Sequence, residues 1–545
     1  MSDGVLATTD LAGPSRETST DPLDVGAARL AALIAARKLS ATEVVDAFIA
    51  RIEEVNPSLN ALVLPRFEEA RREARAADEA LARRGPIGVL HGVPVTIKEE
   101  FRVAGMATTL GLPSRTGDRA VDEGPLVRRL RDAGAIILGK TNLSQLLIFN
   151  EADNPVYRRS SNPWNLDRTP GGSSGGEAAI MAARGSPLGL GGDLGGSLRV
   201  PAHFCGIHTL KPTSRRLTKL DGVSGLASAQ EGVVPQPGPL ARHVADLALA
   251  MKVLAAPGLE RVDASVPPVP WPADEVAPSG LRVGYFVDDG HFPASPAIRR
   301  LVEEAATALG AAGAPVRPWK PPSASEAIRL FVALISADRF ETLRRVASSD
   351  PIDRRVGGLF TLAGIPRALR PLVAGLAGLA GQRRLATTIR SGGALSAAEY
   401  FDVLAQRNEF RARFFAAMDA GEVDVLVCPP HALPALTHGA SEFLFEAASY
   451  SVLFNVLGMP AGVVAAGRVR AAEESDRAES RDMVERSARR VEAGSAGLPL
   501  GVQVAARPWR EDLVLSTMTL LEAHFRRTPD YPLAPSAAIS LGHSS

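Results

Sequence analysis

The stretch Gly92-Val-Pro-Val-Thr-Ile-Lys98 is a short apolar run that begins at a glycine and ends at a lysine. Similar short apolar runs, bounded by glycine or proline, occur at residues 135–138, 188–190, 283–287 and 423–428. Helical patterns such as residues 122–133 and 296–312 separate these runs. Strands that alternate with helices are typical of an α/β fold with a largely parallel, buried sheet.

The composition excludes several functional classes. The 545 residues include 61 Lys and Arg against 60 Asp and Glu, a net charge of +1, so the chain does not bind nucleic acid through bulk charge. Two cysteines, Cys205 and Cys428, are too few for a disulfide framework or a four-ligand zinc site. The nine histidines are scattered, so the sequence indicates no metal ion.

The N-terminal residues carry no visible targeting signal. Residues 1–22 are polar and contain no apolar stretch long enough for a secretory signal, so we predict a disordered tail there. The sequence contains no run of 18 apolar residues without charge, and no transmembrane helix is expected. We therefore expect a cytoplasmic protein, with a peripheral position at the inner membrane face as a further option.

Residues 23–535 are predicted to form a single catalytic domain with three recognisable additions. The first is a set of N-terminal helices at residues 23–84, in which Ser40-Ala-Thr-Glu43 is a capping box. The second is a basic apolar segment at residues 354–398, and the third is a charged surface insertion at residues 468–494 with one helix. Residues 161–240 are rich in Gly, Ser and Pro, which predicts a long functional loop.

Two common motifs match the sequence without fitting their structural context. Residues 134–141 fit the phosphate-loop pattern, but the predicted strand lies between the two glycines instead of before them. Residues 171–175 fit the GxSxG nucleophile elbow, but a loop and not a strand precedes them. Neither nucleotide binding nor an α/β-hydrolase site is therefore predicted.

A lysine and three serines form a stronger candidate site. Lys98 ends an apolar strand, Ser173 and Ser174 lie in one glycine-flanked loop, and Ser197 lies in a second. A serine activated by a lysine is a known alternative to the Ser-His pair, and the lysine must then be desolvated and neutral. From the residues alone, a surface lysine and a flexible Gly/Ser linker remain the competing interpretation.

Longer motifs around these residues resemble the amidase signature family. They are the lysine motif at residues 92–99, residues 135–142, Pro170-Gly-Gly-Ser-Ser-Gly-Gly-Glu177, and the stretches 187–201 and 204–213. The resemblance extends over residues 25–525. Segments such as 266–271, 281–286 and 497–509 are most similar to the fatty acid amide hydrolases. We expect this chain to have no counterpart of the N-terminal transmembrane helix that the mammalian members carry. The resemblance implies an α/β amidase-signature fold, in which α-helices sandwich a large twisted mixed β-sheet.

The resemblance also implies roles for individual residues. Ser197 would be the acyl-forming nucleophile, and Ser173, after a cis peptide bond at Gly172, would connect it to Lys98. The oxyanion hole would be formed by the backbone N–H groups of Leu194, Gly195, Gly196 and Ser197. Ser174 would support its loop, and Leu147 and Ile148 would line the acyl pocket.

Four charged or titratable residues near Ser197 are assigned no chemical step. Asp193 and Arg199 flank the nucleophile with opposite charges and are expected to pair and brace the loop. His203 and His208 invite a Ser-His-Asp interpretation, but the family pattern gives them no role, and we expect both to be structural.

The segment 354–398 contains seven arginines and no Asp or Glu. Leu369, Leu372, Val373, Leu376 and Leu379 recur near helical spacing within it. A basic amphipathic helical pair predicts reversible contact with anionic membranes, and a helical cap of fatty acid amide hydrolases, which docks on membranes, lies at about this point. The alternative is a helical hairpin that only covers the core.

The sequence thus predicts an amidase that hydrolyses a carboxamide, with a lipophilic or fatty acyl amide as substrate and no cofactor. A broad amidase, esterase or carbamate hydrolase for small aryl or acyl substrates is the first alternative. An A-type subunit of a tRNA-dependent amidotransferase and a non-enzymatic membrane-associated binding protein are further alternatives. The oligomeric state stays open, with a homodimer as one option.

Overall fold

The structure is a computed structural model that describes residues 19–220, 231–272 and 276–535. Residues 1–18 of the predicted tail therefore lie outside the described residues. Eleven strands in the described part of the chain form one sheet. They are β1 (Leu62–Pro65), β2 (Pro94–Lys98), β3 (Ile136–Thr141), β4 (Leu188–Asp193), β5 (His208–Lys211), β6 (Gln236–Ala241), β7 (Val283–Tyr285), β8 (Val316–Pro318), β9 (Val425–Cys428), β10 (Ala461–Arg468) and β11 (Pro499–Ala506).

The sheet is mixed, as the family resemblance implies, and the expectation of a largely parallel sheet is wrong. Its strand order is β1-β3-β2-β4-β6-β5-β10-β11-β9-β7-β8. The pairs β2–β3, β2–β4, β7–β8 and β7–β9 are parallel, and the other six pairs are antiparallel. Apolar runs report that a strand is buried, but they carry no information on the direction of its neighbour.

Helices cover the sheet. In the described residues the α-helices are α1 (Ala27–Ala35), α2 (Ala41–Leu59), α3 (Phe67–Arg84), α4 (Pro125–Asp132), α5 (Gly175–Ala182), α6 (Arg199–Cys205), α7 (Val244–Leu254), α8 (Pro296–Ala311), α9 (Ala324–Ile335), α10 (Glu341–Ala347), α11 (Arg354–Gly364), α12 (Arg370–Leu379), α13 (Arg383–Ser391), α14 (Ala397–Ala420), α15 (Ser449–Leu457), α16 (Met483–Glu492) and α17 (Glu511–Phe525). All residues of β2, β3, β9 and β11 are buried, so both faces of these strands are covered.

The N-terminal helices begin as the sequence predicts. The capping box is confirmed at the start of α2, where the Glu43 backbone N–H donates to Ser40 Oγ at 3.0 Å and the Ser40 N–H donates to the Glu43 carboxylate at 2.8 Å. Strand β1, between α2 and α3, was not predicted. Only one of its four residues is buried, which leaves little apolar signal in the sequence.

The predicted long loop at residues 161–240 is wrong in large part, because it contains α5, α6, β4, β5 and β6. Its glycines serve close packing more than flexibility. A side chain at Gly189 would collide with the Glu177 carboxylate, and one at Gly176 would collide with the backbone of Asn142. Composition alone did not distinguish glycines that admit neighbouring groups from glycines of a flexible linker.

The charged insertion at residues 468–494 contains one helix, α16, as predicted, but it is more than a surface excursion. Val484, Ala488 and Val491 of α16 are buried against the core. The Arg477 side chain connects the insertion internally, with ion pairs to Glu485 at 2.7 Å and to Glu492 at 3.1 Å. The high charge of this segment therefore reflects ion pairs on one face and conceals an apolar face on the other.

Candidate active site

Lys98 and Ser173 meet in the interior of the protein. Lys98 is the last residue of β2, its side chain is 1% exposed, and its Nζ donates a hydrogen bond to Ser173 Oγ at 2.8 Å. Ser173 is fully buried in the loop before α5 and follows a cis peptide bond after Gly172. The structure thus places these two predicted residues in direct contact across 75 positions of the chain.

Helix α5 is attached to the strand that carries Lys98. Thr96 of β2 and Thr141 of β3 donate hydrogen bonds to the two oxygens of Glu177, at 2.7 and 3.0 Å. Glu177 is completely buried, and its burial raises the pKa of the carboxyl to about 8, against the opposing hydrogen bonds from the two threonines. These contacts fix the start of α5, and with it the Ser173 loop, relative to β2.

Ser197 lies in the loop between β4 and α6 and is partly exposed, in contrast to the buried Ser173 and Lys98. All three residues line the same cavity. The two serine loops are joined by the Ser174 N–H, which donates to the Ser197 carbonyl oxygen at 3.2 Å, and Ser174 Oγ donates to the Gly192 carbonyl oxygen at 3.2 Å. Ser174 therefore connects the two serine loops through its backbone N–H and its hydroxyl.

Asp193 and Arg199 form a fully buried ion pair, with Arg199 Nη2 and Asp193 Oδ1 2.9 Å apart. Arg199 also donates to Gln503 Oε1 at 2.9 Å and to Asn455 Oδ1 at 2.6 Å. Burial opposes ionisation of the Asp193 carboxyl, but the Arg199 guanidinium outweighs it and holds the pKa well below its usual range. Asp193 is therefore a permanent anion that braces the loop, and it has no proton to donate.

The backbone N–H groups of the Ser197 loop divide into two sets. The N–H of Gly196 donates to Asp193 Oδ1 at 2.9 Å and is therefore already engaged within the loop. Within residues 19–220, 231–272 and 276–535, no acceptor is found for the N–H groups of Leu194, Gly195 and Ser197. In the described part of the chain, three of the four predicted oxyanion-hole donors thus have no protein acceptor.

Glu100 is a residue of this site that the sequence argument missed. Its Oε1 lies 2.9 Å from Lys98 Nζ, and the two side chains are 10% and 1% exposed. A side chain at Gly192 would collide with the Glu100 carboxylate, so this glycine makes room for the acidic group. The sequence predicts a lysine desolvated in apolar surroundings, whereas the structure provides a carboxylate partner. Glu100 lies two residues beyond Lys98, and proximity in the chain was the only signal that could have found it.

Two cavities meet at Ser197. The first has a volume of about 550 Å³ and extends beneath α11 and α13; we call it the cap cavity. The second, of about 610 Å³, contains Lys98, Ser173 and Glu100; we call it the lysine cavity. Residues that line both cavities mark the junction, and they are Leu147, Ile148, Leu194, Ser197, Ile335, Phe340 and Leu359.

The segment that carries the predicted acyl-pocket residues has an unusual backbone. Leu146, Leu147 and Phe149 have φ angles of 54°, 62° and 74°, in the left-handed region that residues other than glycine seldom adopt. Strained conformations of this kind are concentrated at functional sites, where surrounding packing maintains them. Here the segment places Leu147 and Ile148 at the junction of the two cavities.

The two histidines near the nucleophile loop are bound to other groups. His203 is buried, its Nδ1 accepts from the Gly501 N–H at 2.9 Å, and burial lowers its pKa to about 4. His208 Nδ1 accepts from the Ala465 N–H at 3.2 Å, and its Nε2 lies 3.5 Å from the Glu522 carboxylate. Across the described part of the chain, no group of three His, Cys, Asp or Glu side chains could hold a metal ion.

The segment 354–398 forms a helical cap made of α11, α12 and α13. The sequence-based view of its charge needs correction, because acidic residues from outside the segment pair with four of the seven arginines. Arg355 pairs with Glu151 at 3.1 Å, and Arg384 pairs with Glu446 at 3.1 Å. Arg354 pairs with Glu442, and Arg367 pairs with Glu399. No ion pair is found in the described residues for Arg370, Arg383 and Arg390.

The three leucines of α12 face outward, whereas Ala374 is buried. Leu372, Leu376 and Leu379 are 61%, 58% and 88% exposed, and Leu369 just before the helix is also exposed. No single described helix is long and apolar enough to cross a membrane. The pair Arg354–Gly364 and Arg367–Leu379, bent by 88°, meets the length and composition criteria for a span when taken together.

The chain is similar to known amidases over most of its length. Residues 43–515 match the family model described as Amidase. Fatty-acid amide hydrolase 1 of Sus scrofa is 35% identical over 449 residues, which are 80% of this chain and 76% of that protein. Amidase 1 of Gibberella moniliformis is 33% identical over 438 residues, 78% of each chain. A solved structure of fatty acid amide hydrolase superposes with a TM-score of 0.80 at 25% identity and covers 93% of this chain and 86% of that one.

Proposed function

The chain belongs to the amidase family, and from that premise we propose that it is a serine hydrolase of lipophilic carboxamides, with fatty acyl amides as the substrate class. Family membership makes it an amide-hydrolysing enzyme. The proposal adds a triad of Ser197, Ser173 and Lys98, an acyl-enzyme and the class of acyl group. The observation that carries the choice of substrate is the cap cavity, which opens at Ser197.

The first half of the reaction forms the acyl-enzyme. Ser197 Oγ attacks the amide carbonyl carbon, and its proton passes through Ser173 to Lys98 Nζ, which begins the step as the neutral amine and ends it as an ammonium beside Glu100. The hydrogen bond of 2.8 Å between Lys98 and Ser173 supports the second part of this relay. The carbonyl oxygen becomes an oxyanion, which accepts hydrogen bonds from the backbone N–H groups of Leu194, Gly195 and Ser197. Lys98 then returns the proton through Ser173 to the leaving nitrogen as the C–N bond breaks.

The second half of the reaction releases the acid. A water molecule replaces the amine, gives its proton to the same relay and attacks the acyl ester on Ser197. The ester bond breaks, the proton returns to Ser197 Oγ, and the carboxylic acid leaves. One amide and one water thus give one carboxylic acid and one amine, with no cofactor consumed.

The lining of the cap cavity supports an apolar acyl group. The cavity is lined by Phe331, Val332 and Phe340, and also by apolar residues of the cap, namely Leu359, Leu362, Leu385 and Ile389. Burial of apolar surface contributes roughly 25 cal/mol per Å², so a long hydrocarbon chain binds such a cavity better than a short polar acyl group does. The names of the two similar proteins, a fatty-acid amide hydrolase and an amidase, favour the same reaction.

A substrate panel tests the proposed substrate class. For saturated acyl amides of one amine, from acetyl to octadecanoyl, we expect kcat/KM to rise by at least tenfold between the short and the long chains, because each added methylene contributes about 0.8 kcal/mol of burial. Matched esters, carbamates and small aryl amides are measured alongside. A panel in which short aryl amides or esters are the best substrates, with no gain from chain length, would favour the broad amidase or esterase alternative and contradict the lipid substrate.

We also propose that the cap contacts lipid, and that the leucines of α12 carry this contact. Four of the seven arginines are paired with acidic residues, so the basic charge available for lipid headgroups is smaller than the sequence indicates. Leu372, Leu376 and Leu379 share one exposed face of a short amphipathic helix, the arrangement of elements that lie in the membrane interface. Arg383 and Arg390 add attraction to anionic lipid, at about 1 kcal/mol for each residue near the surface.

Liposome flotation measures this contact. The wild-type protein is expected to float with anionic vesicles at low salt and to be released only in part at high salt, because salt screens the charges but leaves apolar insertion intact. Replacement of Leu372, Leu376 and Leu379 by serine is expected to abolish flotation. A matched variant with Ile87, Val89 and Val121 changed to serine, which are exposed elsewhere, is expected to float normally. If the wild-type protein does not float with anionic vesicles at low salt, the membrane proposal is wrong.

A further inference from the structure

The charged insertion at residues 468–494 reaches the cap cavity. Met483 and Val484, the first two residues of α16, line this cavity, and Val484 is 7% exposed. The side chain of Asp482 caps the helix by accepting from the Val484 N–H at 2.9 Å. The start of α16 therefore has a fixed position in the wall of the cavity, although the sequence of the insertion gives the appearance of a solvent-exposed segment.

The insertion is attached to the cap helix α13. The Met483 N–H donates to Gln382 Oε1 at 2.8 Å, just before α13. Arg384 in the first turn of α13 donates to Glu485 at 2.6 Å, and its backbone N–H donates to Asp482 at 3.2 Å. Two segments that are about one hundred residues apart in the chain thus form one wall.

This wall belongs to the cap cavity and not to the lysine cavity. The residues shared with the lysine cavity, Ser197 and Leu147 among them, mark the nucleophile end. Met483, Val484 and Leu385 line the cap cavity only. An acyl chain that extends from a carbonyl carbon at Ser197 into the cap cavity therefore enters a space that is lined in part by α16.

The side chains next to Met483 are unsuitable for a hydrocarbon chain. Arg384 lines the same cavity and pairs with Glu446 at 3.1 Å and with Glu485 at 2.6 Å. Insertion of an alkyl chain between these charges would break hydrogen-bonded ion pairs that are largely withdrawn from water. Met483 is thus an apolar surface immediately before a charged one.

We propose that the insertion 468–494 forms the distal wall of the acyl site and that Met483 sets the longest acyl chain that the enzyme accepts. The inference rests on the proposed function, because it assumes that the acyl group occupies the cap cavity. Methionine is flexible and adapts to irregular apolar surfaces, so a chain end in contact with it is tolerated over a limited range of lengths. Chains that exceed this range meet Arg384 and its carboxylate partners.

The chain-length profile of Met483 variants tests the inference. The measured quantity is the ratio of kcat/KM for each acyl amide, from butanoyl to eicosanoyl, to that for the butanoyl amide of the same enzyme. Met483→Trp places a larger side chain in the cavity, so the ratio is expected to fall at shorter chain lengths than in the wild type. For the longest good substrate of the wild type, we expect the ratio to be at least about tenfold lower in this variant. Met483→Ala is expected to move the optimum to longer chains.

Two controls separate length selection from general damage. Arg486→Ala, on the exposed side of the same helix, is expected to keep the wild-type profile. Met483→Leu conserves the apolar volume and is expected to keep the optimum within one methylene group. If Met483→Ala and Met483→Trp both leave the profile unchanged while acyl amides are still hydrolysed, the inference is wrong and the proposed function stands. If the wild type hydrolyses no acyl amide of the series, the proposed function and the inference fail together.

Discussion

Replacement of Ser197 by alanine is expected to reduce kcat for amide hydrolysis by about 10⁶-fold, the loss seen when the nucleophile of a cooperating triad is removed. The physical reason is that, among the described residues, Ser197 is the only hydroxyl that lines both cavities, and backbone N–H groups without a protein acceptor lie beside it. Ser173 is fully buried and bound to Lys98, and Ser174 Oγ is bound to a backbone carbonyl. Ser197 is partly exposed and lines both cavities.

The fold is expected to survive this substitution, since the Ser197 side chain makes no hydrogen bond within the described residues. Steady-state turnover of a long acyl amide and the thermal unfolding midpoint are measured together. Ser349→Ala, at an exposed serine, serves as the matched control and is expected to keep wild-type activity. A Ser197→Ala protein that retains a tenth of the wild-type kcat would show that another group is the nucleophile.

Replacement of Lys98 by methionine is expected to lower kcat for amides by about 10²–10⁴-fold, the range for loss of a general acid–base group. Methionine preserves the length of the buried side chain but cannot accept or return a proton. The kcat for amides is expected to fall more than the kcat for matched esters. The leaving nitrogen of an amide must be protonated, whereas the alkoxide that leaves an ester needs less proton donation.

The stability of this variant needs a separate measurement, because the substitution leaves Glu100 buried beside an apolar side chain. An unpaired buried carboxylate destabilises the fold, so the double variant Lys98→Met, Glu100→Gln provides a version without the isolated charge. Lys320→Met, at an exposed lysine, is the control for loss of positive charge. Equal losses of less than tenfold for amides and esters in both variants would remove Lys98 from the proton relay.

Much of the fold could be predicted from short-range patterns. The apolar runs gave strands β2, β3, β4, β7 and β9, and the capping box gave the start of α2. Strand direction could not be predicted, because β10 and β11 pair in antiparallel register across the insertion that separates them in the chain. Strand β1 was missed because only one of its four residues is buried, and strands β5 and β6 were missed because the Gly, Ser and Pro content of residues 161–240 indicated a loop.

Sequence motifs were sufficient to predict the candidate site residues, but not the charged groups that surround them. The lysine and serine motifs led to residues that the structure places around one cavity, including the contact between Lys98 and Ser173. Glu100 escaped because the argument treated the lysine as desolvated by an apolar strand and did not consider a carboxylate two residues further. The charge of the cap was overestimated for the same reason, since the partners of its arginines come from distant parts of the chain such as Glu151 and Glu446.

The central claim is that Ser197 forms a covalent acyl-enzyme, and labelling with an activated fluorophosphonate followed by peptide mass spectrometry tests it most directly. The reagent phosphonylates the serine whose oxyanion hole and proton relay are assembled, without regard to the identity of the substrate. We expect stoichiometric modification at Ser197, loss of amide hydrolysis in proportion, and no modification of the Ser197→Ala variant. Modification of Ser173 or Ser174 in the wild type, with Ser197 unlabelled, would contradict the assignment of the nucleophile.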